Sequence, residues 1–168
     1  SQLDEFFSRV LSADIEEHVR INWRTFIQLF LTRIFNHQTQ RRAIRNGQKH
    51  YDIGQDLFMS MLDKRMTYTC AYWKDAKTLD EAQEHKLDLT CRKLSLESGM
   101  SVLDIGCGWG SFANFAAGKY GVHVTGITVS KDQTKYAKES CNGLPVDIQL
   151  MDYRDLRGTY DRIVSLGM

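Results

Sequence analysis

The residues best suited to chemistry are a carboxylate and three glycines within the stretch from Val102 to Gly110. Asp104 lies near the end of an apolar run, and Gly106, Gly108 and Gly110 follow at alternating positions. Glycines permit a tight turn whose backbone N–H groups approach a ligand without interference from a Cβ atom. A carboxylate beside such a turn can accept hydrogen bonds from the ammonium group of a bound amino acid. The stretch therefore predicts a ligand site with a backbone cradle and one acidic anchor.

The elements around these residues limit what the glycine turn can bind. The apolar run from Val102 to Ile105 predicts a buried parallel strand, and apolar residues recur at helical spacing after the turn. This order places a ligand at the carboxyl end of a strand and at a helix N-terminus. A nicotinamide-dinucleotide loop has a third small residue where this chain has Ser111. The pattern Asp-x-Gly-x-Gly-x-Gly instead resembles the loop of class I methyltransferases, which bind S-adenosylmethionine.

The periodicity of the chain predicts the fold that positions this loop. In chain order the predicted elements are helix 55–62, helix 79–95, strand 101–105, helix 110–119, strand 122–127, helix 130–140, strand 146–151 and strand 161–166. This alternation predicts an α/β, Rossmann-like fold with a parallel sheet and helices on both faces. A complete sheet of this kind has about three more strands. We therefore expect an incomplete sheet whose last strand is an open edge.

Residues 1–49 predict a basic helical segment that precedes this fold. Their apolar residues have amphipathic spacing over about 3–11 and 14–35. No acid occurs between Glu17 and Asp52, whereas the same interval contains Arg20, Arg24, Arg33, Arg41, Arg42, Arg45 and Lys49. With Trp23, Phe26 and Phe30, such a segment can lie on an anionic membrane surface. The alternative is a helix packed on the rest of the protein with a solvated basic face.

Two features lie between this segment and the sheet. Met66 to Trp73 is dense in aromatic and short polar side chains, which form core or line an apolar pocket. Thr78 and Glu81 predict a capping box at the start of a helix. Gly99 is predicted to be the C′ residue after that helix.

Composition excludes several classes of protein. The chain has 168 residues, is 42% hydrophobic and 26% charged, and has a net charge of +1, as is ordinary for a soluble globular protein. We therefore expect no nucleic-acid partner. The four cysteines, at positions 70, 91, 107 and 141, have no metal-ligand spacing, so we expect free thiols in a reducing compartment and no metal site. We also expect no membrane span and no signal peptide.

Several motifs beyond the glycine loop occur together in one known family. They are His50-Tyr51-Asp52-Ile53-Gly54, Tyr68-Thr69-Cys70-Ala71-Tyr72-Trp73, Val102 to Gly110, Gly126-Ile127-Thr128 with Gln133, and Asp161-Arg162-Ile163-Val164-Ser165. In this order they resemble the cyclopropane-fatty-acyl-phospholipid synthases and are similar to the mycolic acid methyltransferases. The resemblance covers nearly the whole chain, including the basic segment.

The resemblance implies an activity and its partners. The cofactor would be S-adenosylmethionine, and the substrate a cis double bond in an acyl chain of a membrane phospholipid. The alkene would attack the sulfonium methyl, and a bound bicarbonate would remove a proton so that a cyclopropane ring closes. The enzyme would be cytoplasmic, peripheral to the inner face of the membrane, and a homodimer is compatible with the resemblance.

The resemblance also assigns individual residues to the cofactor. They are Tyr68, Thr69, Asp104, Gly106, Cys107, Gly108, Gly110, Thr128, Gln133, Asp152 and Tyr153. The loop residues would form the cradle and Asp104 would anchor the amino-acid portion, with Tyr68 and Thr69 at the methionine end. The family usually has Tyr-Ser at the last two positions, and Thr69 keeps the hydroxyl.

The other assigned residues would serve the nucleoside and the base. Thr128 and Gln133 would serve the ribose, and Gln133 would substitute for the acid that many methyltransferases have there. Asp152 and Tyr153 would flank the adenine. Cys70 matches the cysteine that contacts bicarbonate, although a free cysteine is most often a buried small hydrophobe.

The resemblance further implies a division of the chain. Residues 1–49 would end an N-terminal lipid-binding region and linker, and 50–168 would be the first half of a methyltransferase domain. In the family a Phe-Glu-His segment follows, and its glutamate, with a later histidine and tyrosine, completes the bicarbonate site. We therefore expect the chain alone to be inactive. Two alternatives remain: a nicotinamide-dependent oxidoreductase, disfavoured by Ser111, and a non-catalytic membrane-binding or interaction module.

Overall fold

A computed structural model describes Trp23 and residues 55–167 of the chain. Trp23 is helical and exposed. The rest of the predicted basic helical segment lies outside the described residues, as does the predicted domain boundary between residues 49 and 50. The chain divides into two compact units, Ser1–Thr39 and Gln40–Met168. The elements described below belong to the second unit.

The described elements follow the predicted order. They are α1 (Gln55–Met61), α2 (Leu79–Lys93), β1 (Ser101–Ile105), α3 (Ser111–Tyr120), β2 (His123–Thr128), α4 (Lys131–Ser140), β3 (Val146–Leu150), a 3-10 helix (Tyr153–Asp155) and β4 (Arg162–Val164). Helix and strand ends differ from the prediction by no more than two residues, and the 3-10 helix was not predicted. Among these helices none is long and apolar enough to cross a membrane.

The sheet confirms the predicted parallel arrangement. Its strand order is β3-β2-β1-β4, and each neighbouring pair is parallel. The chain moves from β1 outward through β2 and β3 and then returns to the other side of β1. Ligands of open α/β sheets bind at such a reversal, beyond the carboxyl ends of the strands. In this sheet the reversal lies between β1 and β4, and β4 is an edge, as expected.

The sheet is held by apolar side chains on both sides of β1. Val102 and Leu103 are fully buried, and Phe112 and Phe115 of α3 belong to the same core as Val102. Full burial of one such side chain stabilises the fold by about 1.5–3 kcal/mol. A second, smaller cluster contains Phe58 of α1, Met66 and Trp109. Because Trp109 lies in the glycine loop, this cluster attaches α1 to the loop.

The capping box at the start of α2 is confirmed. The Thr78 hydroxyl accepts from the Glu81 N–H at 3.2 Å, and the Glu81 carboxylate accepts from the Thr78 N–H at 3.3 Å. These bonds satisfy two backbone donors that helix formation leaves without an intrahelical partner. The box therefore fixes where α2 begins.

Replacing Thr78 with alanine should lower the free energy of unfolding by about 1 kcal/mol, because one capping bond is lost. Urea unfolding of the two proteins measures the difference. Thr90→Ala is the matched control, since the Thr90 hydroxyl donates to the Lys86 carbonyl within the same helix and caps nothing. Equal losses in the two variants would contradict a capping role.

The predicted C′ residue of α2 was wrong. Ser95, with φ of +49°, takes the left-handed conformation after the helix, and its N–H donates to the Arg92 carbonyl. The N–H of Leu96 donates to the Cys91 carbonyl, which completes a Schellman motif. Gly99 instead donates to the Gly121 carbonyl at 2.9 Å in the turn before β1. The two backbone bonds and the burial of Leu96 hold a serine in a conformation that glycine usually occupies.

Candidate functional site

The glycine loop has the predicted position between β1 and α3. The N–H groups of Gly106 and Cys107 both donate to the Ile127 carbonyl, at 2.9 and 3.0 Å, and the Gly110 N–H donates to the Cys107 carbonyl at 2.9 Å. These three N–H groups, which were expected to face a ligand, thus hold the loop in shape. The open space beside Gly108 is what the loop offers a ligand.

Two glycines of the loop are needed for different reasons. Gly108 has φ of +55°, and a Cβ atom built on it would meet nothing within 4 Å. Gly110 has φ of +85°, and a Cβ there would lie 2.9 Å from the Cβ of Ala137. Gly108 therefore keeps a cavity open, whereas Gly110 allows α4 to pack closely against the loop.

One cavity at the carboxyl end of β1 brings together seven of the predicted residues. They are Tyr68, Thr69, Asp104, Gly106, Cys107, Gly108 and Gln133. Gly167, which follows β4, closes the same cavity. The cavity thus lies where the strand order reverses, as expected for the ligand site of an open α/β sheet.

Asp104 is the most unusual group in this cavity. Its side chain is buried, and its Oδ2 atom has no hydrogen-bond partner among the described residues. Burial raises the pKa of Asp104 to about 7, while the positive charge of Lys86 acts in the opposite direction. A buried carboxylate oxygen without a donor is costly. A ligand that brings a cationic donor would remove this cost.

A second cavity shares the glycine loop and contains the predicted nucleoside residues. It is lined by Thr128, Gln133 and Tyr153 together with Gly106 and Gly108. The Thr128 hydroxyl donates to the Gln133 side-chain oxygen at 2.8 Å, and both side chains are buried. The pair is therefore held in place before any ligand binds.

Asp152 and Gly110 are predicted residues whose described contacts serve the fold. The Asp152 carboxylate accepts from the backbone N–H of Arg154 at 3.0 Å and from its guanidinium at 2.8 Å. The side-chain hydrogen bond from Arg154 holds the pKa of Asp152 below its usual range. Asp152 thus caps the 3-10 helix that carries Tyr153.

Cys70 lies outside the main cavity. It is exposed, so it is not a buried small hydrophobe. It lines a neighbouring groove with Tyr68, Thr69, Trp73 and Leu79, and more than a third of each of Tyr68, Trp73 and Leu79 is exposed. Tyr68 and Thr69 line both the groove and the main cavity.

Two residues of α2 that sequence reasoning missed hold the segment from Thr67 to Cys70. The Gln83 side-chain amide donates to the Thr69 carbonyl at 2.8 Å, and Lys86 Nζ donates to the Thr69 hydroxyl at 2.7 Å. Their spacing of three residues places them on one face of the helix. Polar residues at helical spacing with Ala82 and Leu87 were the signal that was available.

The turn before this segment depends on Asp63. Its buried carboxylate accepts from the Thr67 N–H at 2.7 Å and from the Arg65 N–H at 3.2 Å. Met66 between them has φ of +57° and is buried in the wall of the main cavity. Such a conformation persists for a non-glycine residue only where its surroundings determine it. Asp63 therefore helps to fix the direction in which the chain enters the site.

Thr69 also restricts which residue can occupy position 167, on the opposite wall of the main cavity. Gly167 has φ of +73°, and a Cβ atom built on it would lie 2.5 Å from the Thr69 methyl carbon. The Thr69 side chain is thus packed between Lys86 on one side and the Gly167 backbone on the other.

The fold and the loop define a class of protein. A parallel sheet of this order, with an acid near the end of β1 and a glycine loop after it, is the fold of the S-adenosylmethionine-dependent methyltransferases, as the solved structures below also show. The model of the mycolic acid cyclopropane synthetase family matches residues 37–168. The chain belongs to this family.

Individual relatives agree with this membership. The cyclopropane-fatty-acyl-phospholipid synthase of Escherichia coli (strain K12) is 51% identical over 167 residues, which are 99% of this chain and 44% of that protein. The cyclopropane synthase MmaA2 from Mycobacterium tuberculosis is 39% identical, with a TM-score of 0.70 over 74% of this chain and 45% of the other. The mycolic acid cyclopropane synthase CmaA1 complexed with SAH and CTAB is 40% identical, also with a TM-score of 0.70 and the same coverage. The chain thus spans less than half the length of these relatives.

Proposed function

We propose that this chain carries the cofactor-binding part of an enzyme that transfers a methylene from S-adenosylmethionine to a cis double bond of a phospholipid acyl chain, forming a cyclopropane ring. Identity to a cyclopropane-fatty-acyl-phospholipid synthase supports the substrate class. The single observation that carries the cofactor assignment is the buried Asp104 carboxylate, whose Oδ2 has no donor although it lies beside the glycine loop.

The residues of the cavity fit this cofactor. The methionyl portion of S-adenosylmethionine carries an ammonium group, which would supply the donor that Asp104 Oδ2 needs. The open space beside Gly108 leaves room for a ligand that passes between the two cavities. When bound, the cofactor supplies a methyl group on a sulfonium, which is the electrophile of the reaction.

The proposed binding residues contact different parts of the cofactor. Asp104 would hold the ammonium, and Tyr68 and Thr69 would contact the methionine end. The buried pair of Thr128 and Gln133 would face the ribose, since both lie in the wall of the second cavity. Asp152 would act on the adenine side indirectly, because it caps the short helix that begins at Tyr153.

The groove beside the cavity suits an acyl chain and the base. Tyr68, Trp73 and Leu79 offer exposed apolar surface there, and burial of such surface favours binding of hydrocarbon. Cys70 would contact a bicarbonate that collects the proton released before ring closure. A general base must lie within hydrogen-bond reach of that proton. The position of Cys70 in the same groove supports this assignment.

We also propose that the basic segment of residues 14–49 brings the protein to the cytoplasmic face of the membrane. Its arginines and Lys49 would be attracted to anionic head groups, each contributing about 1 kcal/mol when near the surface. In this arrangement residues 1–49 belong to a lipid-binding region, and residues 50–168 begin the methyltransferase domain.

A labelled-methyl assay tests the function. The chain and the same sequence extended to a full-length family domain are incubated with methyl-labelled S-adenosylmethionine and vesicles of cis-unsaturated or saturated phospholipid. We expect label only in unsaturated lipid and only with the longer protein, because the resemblance assigns the glutamate, histidine and tyrosine of the bicarbonate site to the added part. Absence of label with the longer protein would overturn the proposed function. Comparable labelling by both proteins would place the whole catalytic machinery within residues 1–168.

A further inference from the structure

Lys86 is the one cation among the described residues that line the main cavity, and the roles above do not use it. It extends from α2 and is half-buried. Its Nζ donates to the Thr69 hydroxyl at 2.7 Å and forms no salt bridge with any carboxylate in the described part of the chain. A partly buried ammonium without a paired anion is available to a negatively charged ligand group.

The bond between Lys86 and Thr69 has a fixed direction. An ammonium group has donors and no acceptor, so the Thr69 oxygen must be the acceptor. The hydroxyl hydrogen of Thr69 therefore points away from Lys86 and can be donated elsewhere. Thr69 lines the cavity, and its methyl group is packed against Gly167. The pair thus presents one hydroxyl donor and one positive charge to a ligand in the cavity.

The acidic groups near Lys86 do not prevent its ammonium from binding a negatively charged ligand group. Burial lowers the pKa of Lys86, while Asp63, Cys70 and Asp104 favour its charged form. The Asp63 carboxylate already accepts from the backbone N–H of Thr67. Asp104 lines the same cavity as Lys86 without being within salt-bridge distance of it. The cavity therefore carries one carboxylate and one ammonium group at separate points, and this arrangement of charges is complementary to a zwitterion.

We propose that Lys86 is a positioning residue that, through the Thr69 hydroxyl, recognises the carboxylate of the methionyl portion of S-adenosylmethionine. The inference rests on the proposed function. Asp104 would bind the ammonium of the same amino-acid portion and Lys86 with Thr69 its carboxylate, so the two charges together fix the direction of the sulfonium between them. The cavity would then select an amino acid over an amine or a carboxylic acid alone.

Two ligands separate this role from a merely structural one. Calorimetry on the chain measures the affinity for S-adenosylmethionine and for decarboxylated S-adenosylmethionine, which keeps an amine and lacks the carboxylate. We expect Lys86→Met to weaken binding of the first by about 10- to 100-fold, as for the loss of a hydrogen bond to a charged group. Binding of the second should change by less than about threefold, because it lacks the group that Lys86 recognises.

Further variants strengthen the comparison. Thr69→Val keeps the methyl group beside Gly167 and removes the hydroxyl, so it should show the same ligand selectivity. The double variant should lose less than the sum of the two single losses, because the residues act as one unit. Lys86→Arg should restore part of the affinity for S-adenosylmethionine. Lys93→Gln removes a charge from an exposed position of the same helix and should change neither affinity.

The possible results separate failure of this inference from failure of the proposed function. Equal losses for the two ligands in Lys86→Met would overturn the inference and leave the proposed function intact, since Lys86 would then support only the shape of the cavity. An effect of Lys93→Gln as large as that of Lys86→Met would also overturn it, because any positive charge on the helix would suffice. Failure of the unsubstituted chain to bind either ligand would count against the proposed function itself.

Discussion

Replacing Asp104 with asparagine should weaken S-adenosylmethionine binding and at the same time stabilise the free protein. Binding should fall by about 10- to 100-fold, because a charge-assisted hydrogen bond to the ligand ammonium is lost. A pKa raised from 3.8 to about 7 means that ionised Asp104 costs about 4 kcal/mol of stability well above neutral pH. The buried amide of asparagine costs about 1–3 kcal/mol. The net gain in the free energy of unfolding is therefore about 1–3 kcal/mol.

The pH dependence of stability shows the sign of the contribution that Asp104 ionisation makes. Between about pH 4 and about pH 7 the folded protein holds the Asp104 proton and the unfolded chain releases it, so stability falls as the pH rises through this window. The Asp104→Asn variant should lack this part of the pH dependence. Urea unfolding at several pH values measures stability, and calorimetry measures binding.

Asp152→Asn is a control whose expected change in stability at neutral pH has the opposite sign. Hydrogen bonds from Arg154 hold the pKa of Asp152 below its usual range, so its ionised form stabilises the folded state at neutral pH. This control should lower stability at neutral pH, where Asp104→Asn raises it. A destabilised Asp104→Asn variant with unchanged cofactor affinity would show that the carboxylate serves the fold and not a ligand.

Alanine at Gly110 should destabilise the protein by about 1–3 kcal/mol more than alanine at Gly108. At Gly108 the change imposes the left-handed conformation on a residue with a Cβ, which costs about 1–2 kcal/mol. At Gly110 the same strain applies, and the new methyl meets Ala137 at 2.9 Å, which adds about 1–3 kcal/mol of overpacking. Urea unfolding should therefore show losses of about 1–2 and about 2–5 kcal/mol.

The effect of these substitutions on cofactor affinity should not parallel their effect on stability. The methyl of Gly108→Ala enters the open space that both cavities share, so this variant should lose S-adenosylmethionine binding while it remains folded. Gly143→Ala is the control for strain alone, since Gly143 has φ of +82° and nothing within 4 Å of its Cβ position. Full affinity in Gly108→Ala would mean that the ligand does not pass this glycine.

The sequence predicted best those parts of the fold that depend on neighbours in the chain. The strand before the glycine loop, the loop itself and the Thr78 capping box have local signals, and all three are confirmed. Ser95 was missed because two backbone bonds and a buried Leu96 stabilise its left-handed conformation, and these depend on the helix that precedes it and on the core.

The candidate site shows the same division between local and tertiary information. The glycines and Asp104 could be selected from their spacing. Lys86 could not be assigned to the site before the packing of α2 on the segment around Thr69 was known. The Ile127 carbonyl accepts two N–H groups of the loop only because β2 pairs with β1 in one particular register. Pairings of this kind join distant parts of the chain, and the local sequence does not encode them.

The contact between Thr69 and Gly167 has a consequence for how such proteins diversify. A serine at position 69 has no methyl group, so it would relieve the steric part of the restriction on position 167, where an added Cβ would lie 2.5 Å from the Thr69 methyl carbon. With threonine in place, both the backbone conformation and this contact confine position 167 to glycine. Mutations at the two positions are therefore epistatic. A lineage that acquires threonine first loses access to side chains at residue 167 that a serine-bearing lineage can still sample.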